Sequence, residues 1–240
     1  DALSRLQRVQ ALRSIDTAIN SNMDLLLTLN MLISQAIALM KVDAAATLLY
    51  NPVTHMLEYA TAQGFHHKEI ENANPKLNHG FANTAIIERR MVKVTNLKNA
   101  EDRMYREIAI KEGFESCHIV PMIANGQVCG ILEVYNKTAF SPDQEWLDFL
   151  EALGGQAAIA IHSAQLFENL EKSNLELSLA YDATIEGWSK ALELRDKETE
   201  GHTLRVTAWT VKLAQLAGLS EADIIQVRRG ALLHDIGKMG

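Results

Sequence analysis

Glu198 and His202 stand four residues apart, His234 and Asp235 are adjacent, and Lys238 follows His234 by four residues. Read as helix, an i, i+4 pair leaves one face, so Glu198 and His202 can reach one ion. Neighbours on a helix diverge by about 100°. The His234 imidazole could then hold one metal while the Asp235 carboxylate leans sideways to bridge to a second. Lys238 would stand one turn beyond His234 on the same face, placed to meet an anion bound at the metals. Nitrogen and oxygen donors without thiolate suit Fe, Mn or Zn better than a Cys-rich structural zinc site. The apolar run Ala231-Leu232-Leu233 leads into His234-Asp235, and polar groups closing a core segment need partners that a metal would supply. The pattern reads as part of a metal-dependent phosphohydrolase site. A plainer reading stays open, with Glu198 in the solvated acidic first turn of a helix and Lys238 an ordinary surface lysine.

The elements that must position these residues follow from periodicity. A long helix is expected from Asp143 well past Leu170, with Ser141 as its cap and Pro142 at its first position. Along it Leu166, Leu170, Ser173, Leu177, Ala180, Thr184, Gly187, Ala191 and Leu194 recur at alternating spacings of four and three, the seam period of a coiled coil. Ser, Thr and Gly weaken that seam, so it can hold two packings of similar energy, as a signalling helix needs. A parallel homodimer is expected between Leu166 and Leu177. From Gly187 onward a surface helix packed on its own domain is an equal alternative.

Before that helix the pattern is mixed. Residues 1–20 read as helix, and a second helix starts near Ser21, where Ser21-Asn22-Met23-Asp24 resembles a capping box. Ala44 to Tyr50 and Met56 to Ala62 read as strands across the turn-rich Asn51-Pro52-Val53-Thr54-His55. A polar stretch runs from Gly64 to His79. Further elements are a helix from Gly80-Phe81 to Arg90, a short strand from Met91 to Val94 and a helix from Asn99 to Glu112. A hairpin then joins Phe114–Ile123 to Gln127–Tyr135, where Asn125-Gly126 favours a tight type I′ turn.

Composition bounds the functions. The chain has 240 residues, 48% of them hydrophobic and 22% charged, as in a globular protein of one or two domains. A net charge of −7 argues against a general nucleic-acid or anionic-membrane surface. No apolar run reaches the ~18–20 residues of a membrane helix and no signal peptide is visible, so a cytoplasmic setting is expected. Cys117 and Cys129 lack metal-type spacing and read as buried thiols.

Two resemblances give these residues a context. Arg195-Asp196, Glu198-Thr199, Gly201-His202, Arg205-Val206 and Ala231-Leu232-Leu233-His234-Asp235-Ile236-Gly237-Lys238 together resemble the opening of an HD-GYP domain, the HD-superfamily group that hydrolyses cyclic di-GMP. The resemblance implies His202, His234 and Asp235 as metal ligands, Asp235 bridging, and Lys238 as a contact to the substrate phosphate. Many family members carry a tyrosine four residues before the first histidine. Glu198 stands there instead, as in a subgroup able to bind a third metal. Fe or Mn is implied, with two or three ions in a complete domain. The later histidines, the final aspartate and the Gly-Tyr-Pro signature are absent before Gly240, and the first residue is Asp1 rather than Met. The chain is therefore expected to be cut at both ends and catalytically inert by itself, although its parent is expected to be an enzyme.

Residues 21–160 resemble a GAF domain. The resemblance rests on Met23-Asp24-Leu25-Leu26-Leu27, Gly113-Phe114-Glu115-Ser116, Val120-Pro121-Met122, Asn125 to Leu132 and Asn136-Lys137. It implies an antiparallel sheet with helices packed on one side and a small-molecule ligand that the motifs do not name. Asn136-Lys137, Phe140 and Gln144-Glu145 partly match the signature of cyclic-nucleotide-binding members, with Gln144 where the aspartate belongs. His66, His67, His79 and His118 could suggest haem or metal but read more simply as solvent-facing histidines. Cys117 lacks a bilin-attachment context. The expected fold class is α+β: an N-terminal helix (1–20), a GAF sensor (21–160), a linker or signalling helix (161–185) and an all-α, incomplete HD-GYP region (186–240). The alternative is a dimeric small-molecule sensor whose HD module is degenerate.

Overall fold

The computed structural model describes residues 2–21, 24–67, 80–196 and 201–239. It divides into two compact units, Asp1–Leu166 and Phe167–Gly240. Among the described residues no helix is long and apolar enough to cross a membrane.

The first unit opens with α1 (Ala2–Asn20) and α2 (Leu25–Met40), followed by β1 (Ala44–Asn51) and β2 (Met56–Gln63). After α3 (Phe81–Glu88), β3 (Val92–Thr95) and α4 (Arg103–Glu112) come β4 (Ser116–Ala124) and β5 (Gln127–Asn136). α5 (Gln144–Asp196) belongs to this unit up to Leu166. The five strands form one antiparallel sheet in the order β2-β1-β5-β4-β3. Asn125 (φ 48°) and Gly126 (φ 75°) make the two-residue β4–β5 turn, with Ala124 opposite Gln127, as the Asn-Gly pair predicts.

Strand alternation divides the core between the two faces of the sheet. Ala45, Val120, Met122, Leu132 and Val134 pack with Ile15 of α1, Leu29, Leu32 and Ile33 of α2, and Phe149, Leu150 and Leu153 of α5. Ala44, Ala46, Leu48, Cys117, Ile119, Ile131 and Tyr135 pack with α3 and α4 through Ala85, Tyr105 and Ile108. Helices thus cover both faces, not one as the family resemblance implied. β5 is buried from Cys129 to Asn136 as a result. Both cysteines are free and buried, as expected.

The caps of two helices differ from the sequence-based expectation, and α4 starts at Arg103 behind an Asp102 cap rather than at Asn99. Asp24, not Ser21, caps α2, its Oδ1 accepting the Leu26 and Leu27 N–H groups at 2.9 and 3.2 Å. The Ser21 hydroxyl instead donates back to the Ala18 carbonyl at 3.0 Å, finishing α1. Asp143 replaces Ser141 at the head of α5 by accepting the Trp146 N–H at 2.8 Å. A carboxylate is the stronger acceptor for these orphan N–H groups, and its charge suits the helix N-terminus.

The second unit holds the rest of α5, then α6 (His202–Leu216), α7 (Glu221–Leu232) and a 3-10 turn over Ile236–Met239. Gly201 (φ 79°) turns the chain into α6, and the Ser220 hydroxyl caps α7 by accepting the Asp223 N–H at 3.2 Å. The buried residues are mostly small: Ile185, Ser189 and Leu192 on α5, Thr203, Thr207 and Ala214 on α6, and Ala231 and Leu232 on α7.

Candidate metal centre

Three of the sequence-predicted residues come together at two helix ends. α7 stops at Leu232, and Leu233 leaves helical geometry at φ −105° and ψ 10°. The Ala231 carbonyl, which a continuing helix would give to residue 235, accepts the His234 N–H at 3.4 Å and is met by His234 Nδ1 at 2.9 Å. A histidine side chain on a terminal carbonyl is one way to satisfy a helix C-terminus. His234 and Asp235 therefore occupy a turn. The 100° divergence expected of a continuous helix does not apply to them.

That contact fixes the imidazole. A carbonyl only accepts, so Nδ1 carries the hydrogen, and a ring that has lost its second proton turns the Nε2 lone pair outward. Nε2 lies 3.0 Å from Asp235 Oδ2. Two acceptors at that separation need a proton or a cation between them. His202, the first residue of α6, brings its ring to 5.7 Å from that of His234, centroid to centroid. One ligand atom from each of His202, His234 and Asp235 lies within 4.8 Å of the others. Metal bonds of about 2.0–2.2 Å to such donors place neighbouring ligands roughly 3 Å apart, so the donor set fits a metal. The cluster is only partly shielded, with 31% of the His234 and 26% of the Asp235 side chain exposed.

Lys238 departs from the expected geometry. The chain beyond Asp235 is 3-10 rather than α, and Lys238 Nζ sits 3.1 Å from Asp235 Oδ2 instead of sharing a helical face with His234. This bond, with the nearby imidazoles, holds the Asp235 carboxyl below its ordinary range against a smaller opposing effect of burial. Glu198 lies outside the described residues, and His202 opens its helix rather than standing a turn inside one.

Residues 23–162 match the family model GAF_2, GAF domain, over more than half of the chain. The chain belongs to the GAF domain family. Residues 199–240, which contain the three clustered side chains, match the HD domain model. Over 70 residues the chain is 39% identical to the 3'3'-cGAMP-specific phosphodiesterase 3 of Vibrio cholerae serotype O1, covering 29% of this chain and 15% of that protein. Over 75 residues it is 36% identical to the cyclic di-GMP phosphodiesterase of Thermotoga maritima, covering 30% of this chain and 20% of that one. The matches span a fifth or less of these two relatives. Among solved structures, the GAF domain from a Coxiella burnetii phosphoenolpyruvate-protein phosphotransferase superposes with a TM-score of 0.61 at 17% identity. The match covers 68% of this chain and 98% of that one. It establishes the fold alone.

The GAF unit contains polar clusters that sequence reasoning missed. Glu133 on β5 is fully buried and accepts hydrogen bonds from the hydroxyls of Tyr105 and of Tyr135, the latter at 2.7 Å. Burial pushes its carboxyl up to about 7, although the two tyrosines pull the other way. Within Ile131-Leu132-Glu133-Val134-Tyr135 a glutamate resembles a solvent-facing alternate, so no local signal marks it. His66 and His67 are not simply solvent-facing: their backbone N–H groups and both Nδ1 atoms meet the Glu112 carboxylate at 2.8–3.0 Å. Burial opposes ionisation of Glu112, but these contacts outweigh it and bring the carboxyl down to about 2. His118 is fully buried against Trp146 and Phe140, and burial lowers its imidazole to about 4, with Lys93 adding to the effect. His79 lies outside the described residues.

The residues of the partial cyclic-nucleotide signature have partners within the GAF unit. The Lys137 N–H donates to Asp43 Oδ2 at 2.6 Å, Phe140 meets Trp146 edge-on at 5.1 Å, and Gln144 donates to Asp148 at 2.7 Å. Glu145 pairs with Arg5 and Arg8 of α1 at 3.3 and 3.2 Å. These contacts close the GAF unit between α1, the sheet and α5.

Proposed function

We propose that the chain is the regulatory GAF region and ligand-bearing part of an HD-GYP-type, metal-dependent phosphodiesterase that hydrolyses cyclic di-GMP. The carrying observation is the convergence of His202, His234 and Asp235, with donor atoms within 4.8 Å of one another, in the segment that matches the HD model. The phosphodiesterase names of the two relatives support the substrate class. His202 and His234 would each offer a ring nitrogen and Asp235 a bridging oxygen, with Glu198 as a further ligand. A bound divalent ion, Fe or Mn by the HD-GYP resemblance, would supply positive charge to the phosphoryl oxygens and activate water. Lys238, now on Asp235, would exchange that carboxylate for the substrate phosphate. Two imidazoles and two carboxylates do not complete a two-ion site, so the chain alone is proposed to be inactive. The GAF unit would take an unidentified small molecule, and a cytoplasmic setting would suit a soluble substrate.

The linker helices are proposed to pair two copies in parallel. Leu166, Leu170, Leu177 and Leu194 are 57–86% exposed at seam spacing, and Ser173, Ala180, Thr184, Gly187 and Ala191 are exposed with them. The face of α5 that its own unit buries carries Ile185, Ser189 and Leu192 instead.

Anaerobic titration of the chain with Fe or Mn tests the site, with Asp235→Ala and His234→Ala beside it. Each substitution should weaken binding by more than about 100-fold, beyond what loss of an outer support costs. Equal affinity in Asp235→Ala would refute the assignment. Hydrolysis of cyclic di-GMP and of the cyclic GMP–AMP dinucleotide by the gene-length product then tests the substrate.

A further inference from the structure

We propose that Arg229 is a positioning residue that ties the ligand-bearing turn to α5; the inference rests on the metal-site reading above. Arg229 lies in the last turn of α7. Its Nε donates to Asp182 Oδ1 at 2.7 Å, its Nη2 to Ser178 Oγ at 3.3 Å, and its guanidinium lies 4.8 Å over the Tyr181 ring. Ser178, Tyr181 and Asp182 fall at i, i+3 and i+4 on α5 and form one patch. Arg228 continues the attachment one turn along by donating to Glu186 at 2.5 Å.

Exposed ion pairs contribute little, and Arg228–Glu186 is of that kind, with both side chains more than 40% exposed. Arg229 differs. Only 15% of its side chain is exposed, and one planar fork is held by a carboxylate, a hydroxyl and a ring. Those three contacts define its direction, which a lysine could not reproduce.

The link runs on to the metal ligands through few bonds. Two residues after Arg229, the Ala231 carbonyl receives both the N–H and Nδ1 of His234. The orientation of the His234 ring, and with it the direction of Nε2, is set by a carbonyl that moves with the end of α7. On the other side, the anchoring residues of α5 alternate with Leu177, Ala180 and Thr184, which are exposed at seam spacing. One stretch of α5 therefore offers one face to a second helix and another to Arg229. A change of register in the seam would shift Asp182, and Arg229 would carry that shift to His234. This is a contiguous physical link of the kind that can carry coupling.

The test uses the whole chain with Mn or Co as probe. It adds imidazole nitrogen NMR of His234, which reads ring placement without metal. Arg229→Gln should lower metal affinity about tenfold, within the range for outer supports of ligating histidines, and should shift the His234 signals at unchanged helix content. Arg229→Lys should lie between Gln and the natural residue. The charge swap Asp182→Arg with Arg229→Asp should recover part of the affinity that either single change loses. If the natural chain binds neither metal, the proposed function fails, while the His234 signals still decide the role of Arg229. Unchanged affinity and unchanged His234 signals in Arg229→Gln would overturn the inference alone.

Discussion

Replacing Glu133 with Gln should change how the stability of the GAF unit depends on pH. The Glu133 carboxyl titrates near 7 in the fold, against 4.5 for a solvated glutamate. Below pH 4.5 both folded and unfolded chains keep the proton, so the group contributes no difference. Between 4.5 and 7 the unfolded chain gives up the proton and the folded one does not, so stability falls by about 1.4 kcal/mol per pH unit. Above 7 the loss is complete at about 3 kcal/mol. His118 acts in the opposite sense. Its imidazole is lowered to about 4 from 6.5, so stability is full above 6.5 and is lost as pH falls toward 4. The two effects overlap and flatten the profile of the natural chain, which makes the difference between the two proteins the informative quantity. Around Glu133, Tyr59, Tyr105, Tyr135 and Cys117 are all pushed up, chiefly by burial, and stay neutral through this window. Urea unfolding followed by tryptophan fluorescence from pH 4.5 to 8.5 gives the measurement. Trp146 is 5% exposed, against 53% for Trp188 and 65% for Trp209, so it dominates the change. The stability of Glu133→Gln relative to the natural chain should rise by about 3 kcal/mol from the acid to the alkaline end. A constant difference across the range would show that Glu133 is not held protonated, and would refute the reasoning.

Glu112→Gln should destabilise the GAF unit by about 1–3 kcal/mol at pH 7, because acceptors for four donor groups of His66 and His67 are weakened or lost. In the natural chain that contribution is fully present above pH 4.5 and disappears as pH falls through about 2. Amide exchange at His66 and His67 should accelerate in the variant, and unchanged exchange would contradict the clamp. Leu170→Glu combined with Leu177→Glu should make the chain monomeric in sedimentation equilibrium without loss of helix content. A dimer of undiminished strength would place the interface elsewhere, and a natural chain already monomeric at high concentration would remove the seam altogether.

What could be read from the sequence was what neighbouring residues decide among themselves. Asn125-Gly126 fixes its turn because both positions need positive φ, and the strands on either side follow in register. Alternating apolar residues located β1, β2, β4 and β5 to within a residue or two. The caps at Asp24 and Asp143 went to carboxylates three and two residues away from the expected serines. That choice depends on where each hydroxyl finds an acceptor, as Ser21 does at Ala18. The covering of both sheet faces was not legible, because a buried strand and a half-buried one differ only in what packs on the second face. Glu133 was missed for that reason. Its partners Tyr105 and Tyr135 come from α4 and from its own strand, and only the assembled sheet makes it a buried acid.

The candidate centre shows the same division between residue type and placement. His202, His234 and Asp235 could be singled out because imidazole and carboxylate donors are scarce choices beside an apolar run. Their geometry could not be foreseen, because it assumed unbroken helices where the chain uses helix ends. His202 begins α6 after a left-handed glycine, and His234 ends α7 by taking the Ala231 carbonyl onto its own ring. A site built from two helix ends depends on how those helices are held more than one built on a single helical face. That dependence gives Arg229 its consequence: it fixes the last turn of α7 to α5 three contacts at a time, 47 residues from Asp182 in sequence. No local pattern announces such a tie. It follows from the physical requirement that a ligand at a helix terminus be as well placed as the terminus itself.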